Sequence, residues 1–161
     1  MKSEPDVFSF EDLKACPQKT EHWDGIRNYQ ARNIMRDDMK KGDLVLFYHS
    51  NAGKETGVSG IAQIASKEAY PDHTQFDSTS KYHDPKSPED NPRWLMVDVK
   101  FKQDIKRLVS LQELKTNEKL EGMRVIMRGQ RLSIQPVEKT HFKEVLKMSG
   151  HTKAQLEALK L

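Results

Sequence analysis

The sequence predicts an α+β fold, a small mixed sheet or closed barrel decorated by helices. Three observations predict it. Strand-length runs alternate along the chain with helical segments of about ten residues. The run Asp43 to Ser50, DLVLFYHS, is apolar almost throughout, as in a strand covered on both faces. The run Thr56 to Ala65, TGVSGIAQIA, carries two internal glycines, which suit a sharp bend or a close backbone approach at a barrel corner.

The elements follow in order. Met1 to Glu4 opens a strand, and Ser9 with Asp12 three residues on caps a helix that runs to about Ala15, where Pro17 stops it. Tyr29 to Met39 reads as a helix with Ala31, Ile34 and Met35 on one face and Asn28, Arg32, Arg36 and Lys40 at four-residue spacing on another. Gly42 ends it. After the two apolar strands comes Tyr70 to Pro92, rich in turn formers and without apolar periodicity, which reads as a long surface loop. Arg93 to Phe101 alternates, with Leu95, Val97, Val99 and Phe101 on one face and Trp94, Met96, Asp98 and Lys100 on the other, the pattern of a half-buried strand. Ser110 and Glu113 form a capping box, and Arg131 to Val137 is expected as a last strand with Leu132 and Ile134 inward. Thr140 to Met148 is amphipathic through Phe142, Val145 and Leu146. Thr152 with Gln155 then caps a terminal helix whose sticky side is Leu156, Leu159 and Leu161.

The composition bounds the function. The 161 residues carry 27 Lys plus Arg, 24 Asp plus Glu and a formal charge of +3, enough chain to bury roughly 70% of its unfolded surface without staples. The single cysteine, Cys16, allows neither an intrachain disulfide nor a thiolate zinc site, and a reducing, cytoplasmic setting is expected. The longest apolar run, Leu44 to Tyr48, is far short of the about 20 residues of a membrane span, and the polar start MKSEPD lacks a signal-peptide layout. Counted over residues 1–24, 25–54, 55–100 and 101–161, the net charge runs −3, +3, −3, +6. Such segregation fits either a basic face that meets phosphates or a solvated surface with chance asymmetry.

Three constellations carry the candidate chemistry. In WDGIRNYQARN, Trp23, Arg27, Asn28, Tyr29 and Arg32 crowd one loop-to-helix junction, where an aromatic face can stack a base and a helix start attracts anions. The alternative is that the aromatics are core residues and the arginines solvated. In FYHSN, His49, Ser50 and Asn51 leave a buried strand in sequence and place hydrogen-bonding groups at a pocket mouth. As neighbours on a strand, His49 and Ser50 point to opposite faces and make no nucleophile and base pair. In RLSIQPV, Arg131, Ser133 and Gln135 share the face opposite Leu132 and Ile134, either a row of donors and acceptors for a planar ligand or an exposed strand face. The six histidines show no metal-ligand spacing, no metal or cofactor is expected, and the chain contains no Walker-type phosphate loop, GxGxxG or GxSxG motif.

Taken together, MKSEP, WDGIRNYQARN, GDLVLFYHSN, GVSGIAQI, WLMVDV and RLSIQPV, in this order over about residues 1–148, resemble the EVE domain family. The resemblance implies a PUA-like fold, a small β-barrel of about five to six strands flanked by helices; the chain reads as one domain spanning 1–161, whose residues 149–161 form a C-terminal helical extension that the family motifs do not explain. It also implies binding rather than turnover. Members of the family recognise modified bases, chiefly modified cytosine in DNA with RNA also considered, by flipping the base into an aromatic and polar pocket. The matching positions are Ser3, Trp23, Asn28, Tyr29, His49, Ser50, Arg131, Ser133 and Gln135. Trp23 or Tyr29 is expected to stack the base, Ser3, Asn28, Ser50 and Gln135 to read its edge, and Arg27, Arg32, Arg36 and Lys40 to hold phosphates. No membrane partner is expected; an associated effector protein is left open. Two competing classes are an enzyme acting on a base or nucleoside through His49 with Asp24 or Asp98, which the absence of paired carboxylates, a metal set or an activated nucleophile at recognisable spacing opposes, and a small-ligand or nucleotide sensor using the same pocket.

Overall fold

The computed structural model describes residues 1–160. In chain order its elements are β1 (Lys2–Ser3), α1 (Phe10–Ala15), β2 (Thr20–His22), α2 (Tyr29–Asn33), β3 (Leu44–His49), β4 (Gly57–Ile64), β5 (Tyr70–Pro71), β6 (Leu95–Met96), β7 (Asp98–Ser110), α3 (Leu111–Thr116), α4 (Lys139–Met148) and α5 (Lys153–Ala158), linked by short 3-10 turns. Five strands form one mixed sheet in the order β1-β3-β4-β7-β2, with only the β1–β3 pairing parallel; β5 and β6 form a separate ribbon. The sheet is a curled half-barrel, and with its helices it is consistent with the expected PUA-like α+β fold. Among the described residues no helix is long and apolar enough to cross a membrane.

The strand β3 is covered on both faces, as its apolar run requires. Val45 and Phe47 join Phe10, Leu13, Trp23, Met35 and Ile134 in one cluster, whereas Leu46 and Tyr48 join Leu114, Leu120, Phe142, Val145 and Leu156 in another. The three capping boxes at Ser9, Ser110 and Thr152 all form. Both β4 glycines sit at close approaches: a Cβ on Gly57 would lie 2.2 Å from the Val109 carbonyl oxygen, and one on Gly60 would lie 2.0 Å from the Phe10 ring. Because β7 backbone cannot give way as a flexible side-chain end could, Gly57→Ala is expected to lower stability by about 1–3 kcal/mol, read as a lower urea midpoint.

Four expectations need correction, and one strand was not foreseen. Arg131 to Val137 is not a strand: its alternation does bury Ile134, but the chain bends at Ser133 and Ile134, and the Gln135 side-chain Nε2 folds back to donate to the Leu132 carbonyl at 2.9 Å. Among the described residues only the Lys2 backbone amide hydrogen-bonds to this segment from elsewhere in the chain, donating to the Ser133 carbonyl at 2.8 Å. The 29–39 helix changes pitch after Asn33 into one π turn, Ile34–Asp38, so Lys40 lies beyond the helix and the four-residue stripe of Arg32, Arg36 and Lys40 is broken. The segment 70–92 is no simple surface loop. It starts in β5 and buries Asp72 and Gln75 completely. The Arg93 to Phe101 strand is split at Val97, with Trp94 and Met96 buried, and its second part runs on to Ser110. The three-residue β2, with the polar sequence TEH, carries no apolar signal and forms by pairing with β7. Leu161 lies outside the described residues.

Candidate functional site

A cavity of about 530 Å³ opens where β1, the 21–26 segment and the 70–92 segment meet. Its lining combines apolar Val7, Phe8, Trp23 and Ile26 with polar Ser3, Glu21, His22, Asp24 and Ser133, while Lys2, Glu4, Lys81 and Tyr82 complete the wall. Trp23 is 9% exposed, held edge to face against Phe8 and Phe47 at 6.3 and 5.6 Å between centroids. Its backbone amide donates to the Val97 carbonyl at 2.8 Å, which fixes the wall to the break between β6 and β7. Ser3 donates to the Phe8 carbonyl at 2.6 Å and keeps lone pairs for a ligand.

One buried carboxylate ties the far wall to the near one. Asp72 accepts from the Gly25 amide at 2.9 Å, from Arg27 Nη1 at 2.8 Å, and from the Thr74 hydroxyl and amide at 2.6 and 2.8 Å. Burial pushes its carboxyl up, but these hydrogen bonds together outweigh it and hold the group below the usual range. Arg27 also donates to the Tyr82 carbonyl at 2.8 Å and to Thr74 at 3.0 Å. A Cβ on Gly25 would lie 2.6 Å from the Tyr82 ring, so only glycine lets that ring close the cavity. Behind it, the Gln75 amide donates to the Asp72 and Trp94 carbonyls, and Trp94 Nε1 donates to Asp84.

Asp24, also in the lining, has its carboxyl pushed up by burial and by the Asp72 charge, against the pull of His22 and His73. His22, Asp24 and His73 bring ligand-type atoms within 4.8 Å of one another. Glu21 accepts from His22 Nδ1 at 2.7 Å, which leaves Nε2 facing Asp24 at 3.6 Å.

Of the residues expected to meet a base, Ser3, Trp23 and Ser133 line this cavity, and the others do not. Asn28 caps α2 by accepting from the Ala31 amide at 3.0 Å. Tyr29 is 53% exposed and stacks on Trp94 at 4.8 Å. His49 accepts the Phe10 amide through Nε2 at 3.1 Å, and burial lowers its pKa, as suits a neutral acceptor. The Ser50 amide donates to the Ser3 carbonyl at 2.9 Å. Arg131 is exposed, and Gln135 lies in a second cavity, of about 740 Å³, near Met1 and Leu159. The expected phosphate contacts are largely engaged elsewhere. Arg27 is bound to Asp72, Arg32 donates to the Arg93 carbonyl and to Asn33, and Arg36 pairs with Asp37; Lys40 is exposed.

The comparison with protein families decides the identity: the EVE domain model matches residues 1–148. The chain belongs to the EVE domain family. It is similar to human thymocyte nuclear protein 1, 49% identical over 165 residues that take in 92% of this chain and 72% of that protein. Among solved structures, it superimposes on the human THYN1 protein in complex with 5-methylcytosine-containing DNA with a TM-score of 0.85 at 48% identity, covering 94% of this chain and 96% of that one. A Pseudomonas syringae protein gives 0.85 at 40% identity, covering 92% and 97%.

In this EVE domain several cavity residues escape a sequence reading. Lys81 and Tyr82 look ordinary in the chain because they sit in a segment with no periodic signal, and Asp24 stands out only as an acid for the enzyme alternative, not as a base contact. His22 and His73 are 51 positions apart and meet only through the Asp72 tie. The available signal was Gly25, between Asp24 and Ile26, where φ is +74° and a larger residue would meet the Tyr82 ring.

Proposed function

We propose that this EVE domain is a non-catalytic reader of DNA that takes 5-methylcytosine, flipped out of the duplex, into the 530 Å³ cavity. The observation that carries the reading is the mixed lining of that cavity, in which apolar Val7, Phe8, Trp23 and Ile26 stand with polar Ser3, Asp24 and Ser133. A cytosine methylated at C5 asks for the same mixture, with its methyl on one edge and its hydrogen-bonding groups on another. Trp23 stacks the ring, while Val7, Phe8 and Ile26 receive the methyl. Asp24 accepts from the exocyclic amino group, the usual carboxylate partner of cytosine N4. Ser3 and Ser133 supply further edge contacts. The 48% identity to human THYN1, a protein seen with 5-methylcytosine DNA, supports the choice of ligand. Extracting a base costs a few kcal/mol, which stacking and these hydrogen bonds offset. Binding rather than turnover is supported by His49, whose Nε2 lone pair is taken up by the Phe10 amide.

The test is titration of duplexes that differ in one methyl group. A methyl in a fitted apolar pocket gives about tenfold preference or more, so the methylated duplex is expected to bind about tenfold tighter. Asp24→Ala is expected to remove about 1–3 kcal/mol of binding while the thermal unfolding profile stays two-state. Equal affinity for methylated and plain duplexes would overturn the reading.

A further inference from the structure

The cations expected to hold DNA are largely bound within the protein, and free ones stand elsewhere. The loop from Arg124 to Arg131 carries three exposed arginines, Arg124, Arg128 and Arg131. Among the described residues none of their guanidinium groups makes an ion pair or a hydrogen bond, in contrast to Arg27, Arg32 and Arg36. Between them Met127 is 49% exposed, although its neighbours Val125 and Ile126 pack on the core cluster of Leu114, Leu120 and Phe142.

The loop is anchored at both ends and projects between them. On one side Met123 and Leu120 are buried; on the other Ile134 is fully buried in the opposite cluster. Its tip is a tight turn in which the Gln130 amide donates to the Met127 carbonyl at 3.4 Å, with Gly129 at φ +81°, a conformation that glycine alone adopts without strain. The tip also touches the cavity rim. Lys2 Nζ donates to the Gln130 carbonyl at 3.0 Å, and the chain leads from the turn straight to Ser133; Lys2 and Ser133 both line the cavity.

We propose that the 124–131 loop is a finger that holds the distorted duplex: Met127 enters the base stack beside the vacated position, and Arg124, Arg128 and Arg131 grip the flanking phosphates. Apolar side chains, methionine among them, are used as wedges between base steps where a duplex is opened. Unpaired arginines release counterions from phosphates and so set salt dependence. The proposal rests on the base-pocket reading and adds what keeps the helix open while the pocket is filled.

The experiment compares Met127→Ala with the wild-type chain on a methylated DNA duplex and on the same methylated strand alone. A single strand needs no wedge. The ratio of duplex to single-strand affinity is expected to fall about tenfold in Met127→Ala, and a fluorescent adenine analogue beside the methylated cytosine is expected to brighten with the wild-type chain far more than with the variant. Replacing Arg124, Arg128 and Arg131 by Gln is expected to shallow the salt slope by about 0.9 for each phosphate contact removed. Because the substituted side chains are exposed, unfolding temperatures serve as the control for folding. An unchanged affinity ratio overturns the wedge, an unchanged slope overturns the grip, and a larger loss on a matched RNA duplex overturns the assignment to DNA. Loss of preference for the methylated base in the wild-type chain would instead strike the pocket reading, so the two failures are distinguishable.

Discussion

Asp72→Ala is expected to destabilise the protein by about 3–5 kcal/mol, the cost of leaving a buried charge without its partner. Asp72 is fully buried and its substitution strands Arg27, which is itself mostly covered, together with the Gly25 amide and Thr74. Methylated-DNA binding is expected to weaken too, since Gly25 and Tyr82 form the cavity wall and both are held through this network. The pH dependence has a defined sign. The native carboxyl is held below its ordinary value of 3.8, so its contribution is complete above that value and is lost as pH falls through the lower native one. Urea unfolding at pH 7 and at pH 3 should therefore show the gap between the wild-type chain and Asp72→Asn narrowing in acid. A constant gap would mean that the Asp72 charge is not what the network stabilises.

Trp23→Ala is expected to cost about 3–5 kcal/mol, as for other large core aromatics, because the same ring packs on Phe8 and Phe47 and walls the cavity. Stability alone would not separate the two roles. Trp23→Leu keeps an apolar filler and removes the aromatic face, so it is expected to stay folded by circular dichroism while losing about 1–3 kcal/mol of base stacking. Preference for the methylated duplex should shrink with it. If Trp23→Leu retained full discrimination between methylated and plain cytosine, stacking by Trp23 would be wrong and its place in the core would be its whole role.

The sequence by itself determined the features whose causes lie within a few residues. Ser9 with Asp12, Ser110 with Glu113 and Thr152 with Gln155 announce helix starts because a capping box closes over three positions. Likewise DLVLFYHS announces a strand buried on both faces, and Gly57 and Gly60 announce a close approach. Six motifs in order identified the family, and three of the residues they pointed to, Ser3, Trp23 and Ser133, line the cavity. Local signals also misled: the alternation in RLSIQPV marks Ile134 as buried without making a strand, and four-residue spacing from Asn28 to Lys40 suggested a phosphate-binding stripe that the π turn breaks.

Only the tertiary structure decided the site. Its wall is assembled from residues 2–8, 21–26, 81–82 and 133, and the tie that sets it, Asp72 to Gly25 and Arg27, spans more than forty positions. Whether an arginine is free for DNA depends on whether a distant carboxylate or carbonyl has already claimed it. Arg27 and Arg32 are claimed, by Asp72 and by the Arg93 carbonyl, whereas Arg124, Arg128 and Arg131 are exposed on a loop anchored in two different core clusters. The physical reason is that a charged side chain's partner is chosen by the strand register and by the burial that packing creates, and neither is written in the residues next to it.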